Sequence, residues 1–233
     1  MNNRKMKHLL ICIALLSSII SYSQGLEDVI VETYYVSDAN DATDTDGGSL
    51  PEGSVTYRIY IDMAPGYELQ AVYGNDNHTL SILTSTFFFN NVDRGETTGN
   101  LIPANRLDEN TVAVDSWLTM NAASEDHFGL LKTQDGDGSI IGGANNDGGS
   151  EGIAAGLLSN NNPAAGIPLT SADGMLEGVV PTITAIGIDM SMFADANDGT
   201  PFVVTSGAWS VLEGVQGPTA ENIVLIAQIT TDG

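Results

Sequence analysis

The stretch SDANDATDTDGG, Ser37 to Gly48, places four aspartates and one asparagine within twelve residues. Carboxylates, amide carbonyls and backbone carbonyls at that density are the ligands a calcium ion takes, six to eight oxygens at a time, on a loop that turns at glycine. Asp38, Asn40, Asp41, Asp44 and Asp46 are the donors, closing on Gly47. An EF-hand frame ending at that glycine has Asp44 and Asp46 in place but Ala42 at its first position, and no glutamate at its twelfth. The expectation is therefore an irregular calcium loop, set against a solvated Asx turn. Three further patches share the pattern: Asp135 with Asp137, Asn145 with Asp147, and Asp195 with Asn197 and Asp198, where the tetrapeptide DAND recurs. A structural Ca2+ held by one of these loops is the cofactor expected.

Other chemistry has thinner support. GGSEG, residues 148–152, fits the G-x-S-x-G pattern, but a nucleophile elbow needs a strand before its serine and a helix after it, and here the residues before it read as a turn. His127 stands beside Glu125 and Asp126, which could orient it as a base, although a surface histidine among acids is the commoner arrangement. Glycoside hydrolysis needs two carboxyls facing across a cleft. Among thirty acids the count alone cannot choose a pair, and Asp115, in an apolar stretch before Trp117, reads as a buried acid bonded to backbone. Trp117, Trp209, Tyr34, Tyr35, Tyr60 and residues 87–89 (FFF) could stack on sugars, while the two tryptophans read as core. If residues 87–89 form a strand, at least one ring faces the opposite way from its neighbours, and is either covered or exposed for binding.

Extended elements must position these residues. SVTYRIYIDMA, residues 54–64, alternates: Val55, Tyr57, Ile59, Ile61 and Met63 on one face, and Thr56, Arg58, Tyr60 and Asp62 on the other. That is the pattern of a strand with one buried face. Residues 26–37 are rich in β-branched and aromatic side chains and read as a second strand. Further strands are expected over 68–73, 79–89, 112–120, 179–190, 201–205, 208–212 and 222–230, with short helical turns near 153–158 and 190–194. The fold class is all-β, an antiparallel β-sandwich or jelly roll with long Gly/Asn/Asp-rich loops, of which 136–166 is the longest.

Residues 1–24 carry Arg4, Lys5 and Lys7 before an apolar run and end in small and polar residues, the pattern of a secretory signal peptide rather than a membrane anchor. The remainder, 25–233, is expected to be a single β-sandwich domain. It holds no cysteine, since Cys12 lies in the leader, so its stability has to come from a core, from ions or from both. It keeps four basic residues against thirty acids, a net charge of −26. That charge disfavours nucleic acid and anionic lipid as partners and attracts cations. Residues 222–230 are apolar enough for a central strand, yet the chain stops at an Asp-Gly turn with no returning strand. The expectation is the N-terminal part of a longer protein, with an unpaired edge on that last strand.

TYRIYIDMAPGYELQAVYGN (56–75), VDSWLTM (114–120) and GAWSVLEGVQ followed by NIVLIAQITTDG (207–233) resemble a group of uncharacterised secreted bacterial β-rich modules, and the SYSQ ending of the leader is similar to those of flavobacteria. The resemblance implies the N-terminal region of a protein exported by type IX secretion, with a C-terminal sorting domain elsewhere, and carries no catalytic residue. Together these readings point to a secreted or cell-surface, non-catalytic module for adhesion or ligand binding. Its partner would be an extracellular glycan or a surface protein, and it would not insert in a membrane once the leader is removed. The alternatives are an extracellular polysaccharide-acting hydrolase and a purely structural spacer.

Overall fold

The structure is a computed structural model that describes residues 25–39, 41, 47–48, 50–107, 111–137, 141, 172–194 and 201–233. The described residues form eleven strands: β1 (Leu26–Val36), β2 (Val55–Met63), β3 (Leu69–Gly74), β4 (Leu80–Ile82), β5 (Trp117–Leu118), β6 (His127–Gly129), β7 (Met175–Glu177), β8 (Thr184–Ile186), β9 (Phe202–Val204), β10 (Gly207–Val215) and β11 (Ile223–Thr231). Every ladder between them is antiparallel. The all-β expectation holds. One sheet runs β1-β2-β11-β5, a second β3-β10-β8, and two pairs, β4-β9 and β6-β7, complete the arrangement. Among the described residues no helix is long and apolar enough to cross a membrane.

β11 is buried along its whole length. Its alternate side chains enter two separate cores: Ile223 and Leu225 one, Val224, Ile226, Ala227 and Ile229 the other. Ile226 and Ala227 face the same way because a bulge interrupts the pairing with β2 between Leu225 and Ala227. The first core gathers Tyr34, Tyr35, Tyr60 and Trp117 with residues from irregular segments such as Phe89, Val112 and Met175. The second lies between the large sheet and the layer made by β3, β4, β9 and β10, the face-to-face packing of a sandwich. Phe88, Phe193, Phe202 and Trp209 run through it with successive ring centroids 6.1, 5.4 and 6.2 Å apart. The Trp209 indole N–H donates to the Thr119 carbonyl at 2.9 Å and ties the two layers together.

Three expectations change. The unpaired edge does not lie on the last strand: β11 has β2 on one side and β5 on the other, and among the described residues the edges of this sheet are β1 and the two-residue β5, which Thr98 bridges. In β2 the polar face, Thr56, Arg58 and Tyr60, is fully buried, whereas Tyr57, Ile59 and Ile61 are only half-buried. The long strands expected over 79–89 and 112–120 shrink to β4 and β5, because the segments beside them serve as single inserted partners. The Phe89 N–H donates to the Thr230 carbonyl at 2.8 Å, and the Ser116 N–H to the Phe89 carbonyl at 3.2 Å. This insertion sends Phe88 into one core and Phe89 into the other, with Phe87 half-buried against the latter.

Leu225 has no exposed surface, and its side chain lies against Gly129, where an added Cβ would come within 2.2 Å of it. Leu225→Ala is expected to destabilise the fold by about 2–5 kcal/mol, read as a lowered denaturant midpoint with an unchanged slope.

Candidate functional site

The acids of the first loop divide. Asn40, Asp44 and Asp46 lie outside the described residues. Asp41 is buried, and its Oδ2 accepts the Tyr35 hydroxyl at 2.7 Å and the Asp38 N–H at 2.8 Å, while the Asp41 N–H returns to Asp38 Oδ1 at 3.3 Å. This reciprocal Asx pairing pins the start of the loop to β1. Burial and the Asp41 carboxylate together push the Tyr35 hydroxyl far above its ordinary range. Asp135 turns inward, its Oδ2 accepting the Gly174 N–H at 2.7 Å and its Oδ1 the Asp137 N–H at 3.3 Å. Asn145, Asp147, Asp195, Asn197 and Asp198, and the GGSEG motif, also fall outside the described residues. Among those described, no group of three or more histidine, aspartate or glutamate side chains is close enough together to hold a metal ion.

The residues with possible catalytic chemistry are placed as follows. Asp115 has no exposed surface, and its two carboxylate oxygens accept the N–H groups of Asn91 at 2.7 Å and Glu96 at 2.8 Å. Burial raises its pKa well above the carboxylate range, and these amide donations offset that only in part. The acid clips a loop to β5, and Gly95 is there because a Cβ would come within 2.5 Å of Asp115 Oδ2. His127 Nδ1 sits 2.6 Å from Asp126 Oδ1 and 2.9 Å from Ser124 Oγ. A serine–histidine–acid relay needs the serine at one ring nitrogen and the acid at the other. Here both meet Nδ1, so the imidazole cannot pass a proton between them, and the cluster closes the turn into β6.

The strongest electrostatic feature was not singled out from the sequence. Arg58, in the middle of β2, has no exposed surface, donates from Nε to Gln228 Oε1 at 2.9 Å and from Nη1 to the Gly174 carbonyl at 2.8 Å, and stacks 3.6 Å from the centre of the Tyr34 ring. Lys132 approaches that ring to 4.7 Å. Burial raises the Glu32 carboxyl even though the Lys132 N–H donates to it at 2.9 Å. Burial, with Arg58 nearby, lowers the Lys132 ammonium to about 8. Arg58 Nη2 and Glu32 Oε2 have no protein partner. Alternation alone puts Arg58 on the polar face of β2, and only the structure shows that face enclosed.

The named aromatic candidates, Trp117, Trp209, Tyr34, Tyr35 and Tyr60, are all core residues with no face to offer a ligand. Exposed rings occur instead at Tyr67 and Tyr73, which flank a groove of about 310 Å³ lined also by Leu26, Ile61, Met63 and Glu68. A second groove, about 220 Å³, continues on the same face of the large sheet, between Val31, Ile59 and Ile229 on one side and Ile82 and Leu83 on the other. Both open where the second layer stops short of β1. No protein-family model matches the chain, and neither curated proteins nor solved structures provide a match.

The buried cluster makes stability depend on alkaline pH. Between about pH 8 and the ordinary lysine value of 10.5, the unfolded chain holds the Lys132 proton while the native state has released it. The unfolded state then binds more protons, so stability rises with pH across that window. Above the ordinary tyrosine value of 10.0 the sign reverses, because Tyr34, Tyr35 and Tyr60, all held protonated by burial, ionise only on unfolding. Urea unfolding across this range is expected to show a maximum near pH 10. Lys132→Met should remove the rise and leave the fall.

Proposed function

We propose that residues 25–233 form a non-catalytic adhesion or ligand-binding module of a secreted or cell-surface protein. One observation carries this reading. The two grooves, with Tyr67 and Tyr73 at one end, leave a run of apolar surface open on one face of the large sheet, whose other face is covered over Thr56, Arg58 and Tyr60. Leu26 is 51% exposed, Val29 50%, Val31 59% and Tyr73 60%. Scattered exposed apolar residues are ordinary, whereas a contiguous grooved patch marks a site of interaction. A hydrolase has less support. The Asp115 oxygens are already bonded to amides, and the Ser124, Asp126 and His127 arrangement has no relay geometry.

The test is binding of residues 25–233 to panels of oligosaccharides and of extended peptides, repeated with Tyr73→Ser. Ligands of the native protein are expected to lose about tenfold in affinity or more, while the unfolding temperature moves little, because Tyr73 is exposed. Panels that contain no ligand, or a variant that binds as well as the native chain, would remove the reading.

Calcium belongs to the proposal as a structural ion of the acidic loops. An ion bound only by the native state must stabilise it. The thermal midpoint of residues 25–233 is therefore expected to rise on going from chelator to millimolar calcium. A midpoint that stays put removes calcium from the proposal.

A further inference from the structure

β1 runs for eleven residues and, among the described residues, pairs only with β2, so it is an edge of the large sheet. The Val29 N–H is satisfied by its neighbour Asp28, whose Oδ1 accepts it at 2.8 Å, and not by β2. By the alternation of an antiparallel ladder, the backbone groups of Val29, Val31 and Thr33 face outward. The register pairs Val29 with Ile61 and Val31 with Ile59, so these four side chains share the grooved face. Asp28 pairs with Asp62, and both carboxylates lie on the opposite face. A strand laid along this edge would set alternate side chains over Val29 and Val31 and the remainder beside Asp28 and Asp62.

Charge selects the occupant. Glu27, Asp28, Asp62 and Glu68 surround the edge and its nearer groove. Of the four basic residues, Arg58 is buried on the other face of β2, Lys132 lies over Tyr34, Arg94 pairs with Asp93 at 3.0 Å, and Arg106 belongs to a distant turn. Self-pairing of two copies would bring together two acidic chains, each of net charge −26 after residue 24. A glycan is disfavoured because the groove walls are mainly aliphatic and offer few hydrogen-bond partners.

Resting on the binding reading above, we propose that β1 captures, by strand addition, an extended peptide segment of a partner protein in which apolar residues alternate with lysine or arginine. Main-chain bonds to the Val29 carbonyl and to Val31 and Thr33 hold the segment. Its apolar residues cover Val29, Val31, Ile59 and Ile61, and its cations meet Asp28 and Asp62.

The probe is a synthetic peptide of alternating valine and lysine, compared with a peptide of the same composition in which the valines and lysines form two blocks. The blocked peptide reports simple attraction to an acidic protein. The alternating peptide is expected to bind about tenfold tighter or more, to slow hydrogen exchange at the Val31 and Thr33 amides, and to lose that advantage on the exposed-site variant Val31→Arg. Equal binding of the two peptides, or unchanged exchange at those amides in the native chain, overturns the proposal, and the exchange result does not depend on how the variant folds. A dimer paired through β1 also overturns it. Oligosaccharide binding that Tyr73→Ser abolishes, with no peptide effect, overturns the peptide proposal and leaves the binding module standing. Silence from every probe removes both.

Discussion

A guanidinium with no contact with solvent sits at the centre of the large sheet, and much of the surrounding architecture follows from the need to satisfy it. Arg58 reaches Gln228 on the neighbouring strand and Gly174 on a segment far away in sequence. It does not act alone. On the same face Thr56 bonds to Thr230 at 2.7 Å, Thr230 to the Val114 carbonyl at 2.5 Å, Gln228 to the carbonyls of Ala113 and Asp115 at 3.0 and 2.8 Å, and Tyr60 to the Leu130 carbonyl at 2.6 Å. A buried polar group left without a partner costs about 1–3 kcal/mol. A sheet face carrying this many donors can therefore be covered only by chain that presents free carbonyls. Irregular segments, with 111–116, 130–132 and 173–175 foremost, supply them, and so lie ordered against the sheet without forming long strands.

The same logic explains how an acidic chain with no cysteine beyond Cys12 avoids charging its own interior. Asp41, Asp115, Asp135 and Asp173 each accept a backbone N–H, at 2.8, 2.7, 2.7 and 2.9 Å. Amide dipoles help to offset the charge at these four positions, with Lys132 near Asp135 and Asp173, and each acid fastens a turn to its neighbour. Where a carboxyl is more deeply enclosed than its donors can offset, as at Asp115, burial wins and the acid form is favoured.

The longer strands were legible in the sequence: β1, β2, β3 and β11 fall within a residue or two of their expected ranges, because each carries enough alternating or β-branched residues to announce itself. β6 and β7, three residues each, are too short to have a period. The buried face of β2 was misjudged for a different reason. Alternation separates two faces without saying which is enclosed, and here the enclosed face is the polar one because other segments bring it carbonyls. The site was less legible still. Tyr34, Tyr35 and Tyr60 look like ligand-stacking rings and are core, whereas Tyr67 and Tyr73 are exposed. Which tyrosine is covered depends on where the second layer ends, a property of strands distant in sequence.

That ending also leaves a long edge strand with aliphatic residues in the open, an arrangement that invites unwanted pairing. β1 carries two devices against it. Bulges at 26–28 and 33–35 limit the regular stretch, and Asp28 covers the outward Val29 N–H while holding a charge at the edge. Neither device removes the apolar face. A sequence selected only to keep apart from other chains would have placed a lysine or a glutamate at Val29 or Val31, where exposure makes the change inexpensive. Keeping valine at both, beside grooves and under an acidic field that repels like chains but not basic ones, filters partners by charge while preserving the surface to which they would bind.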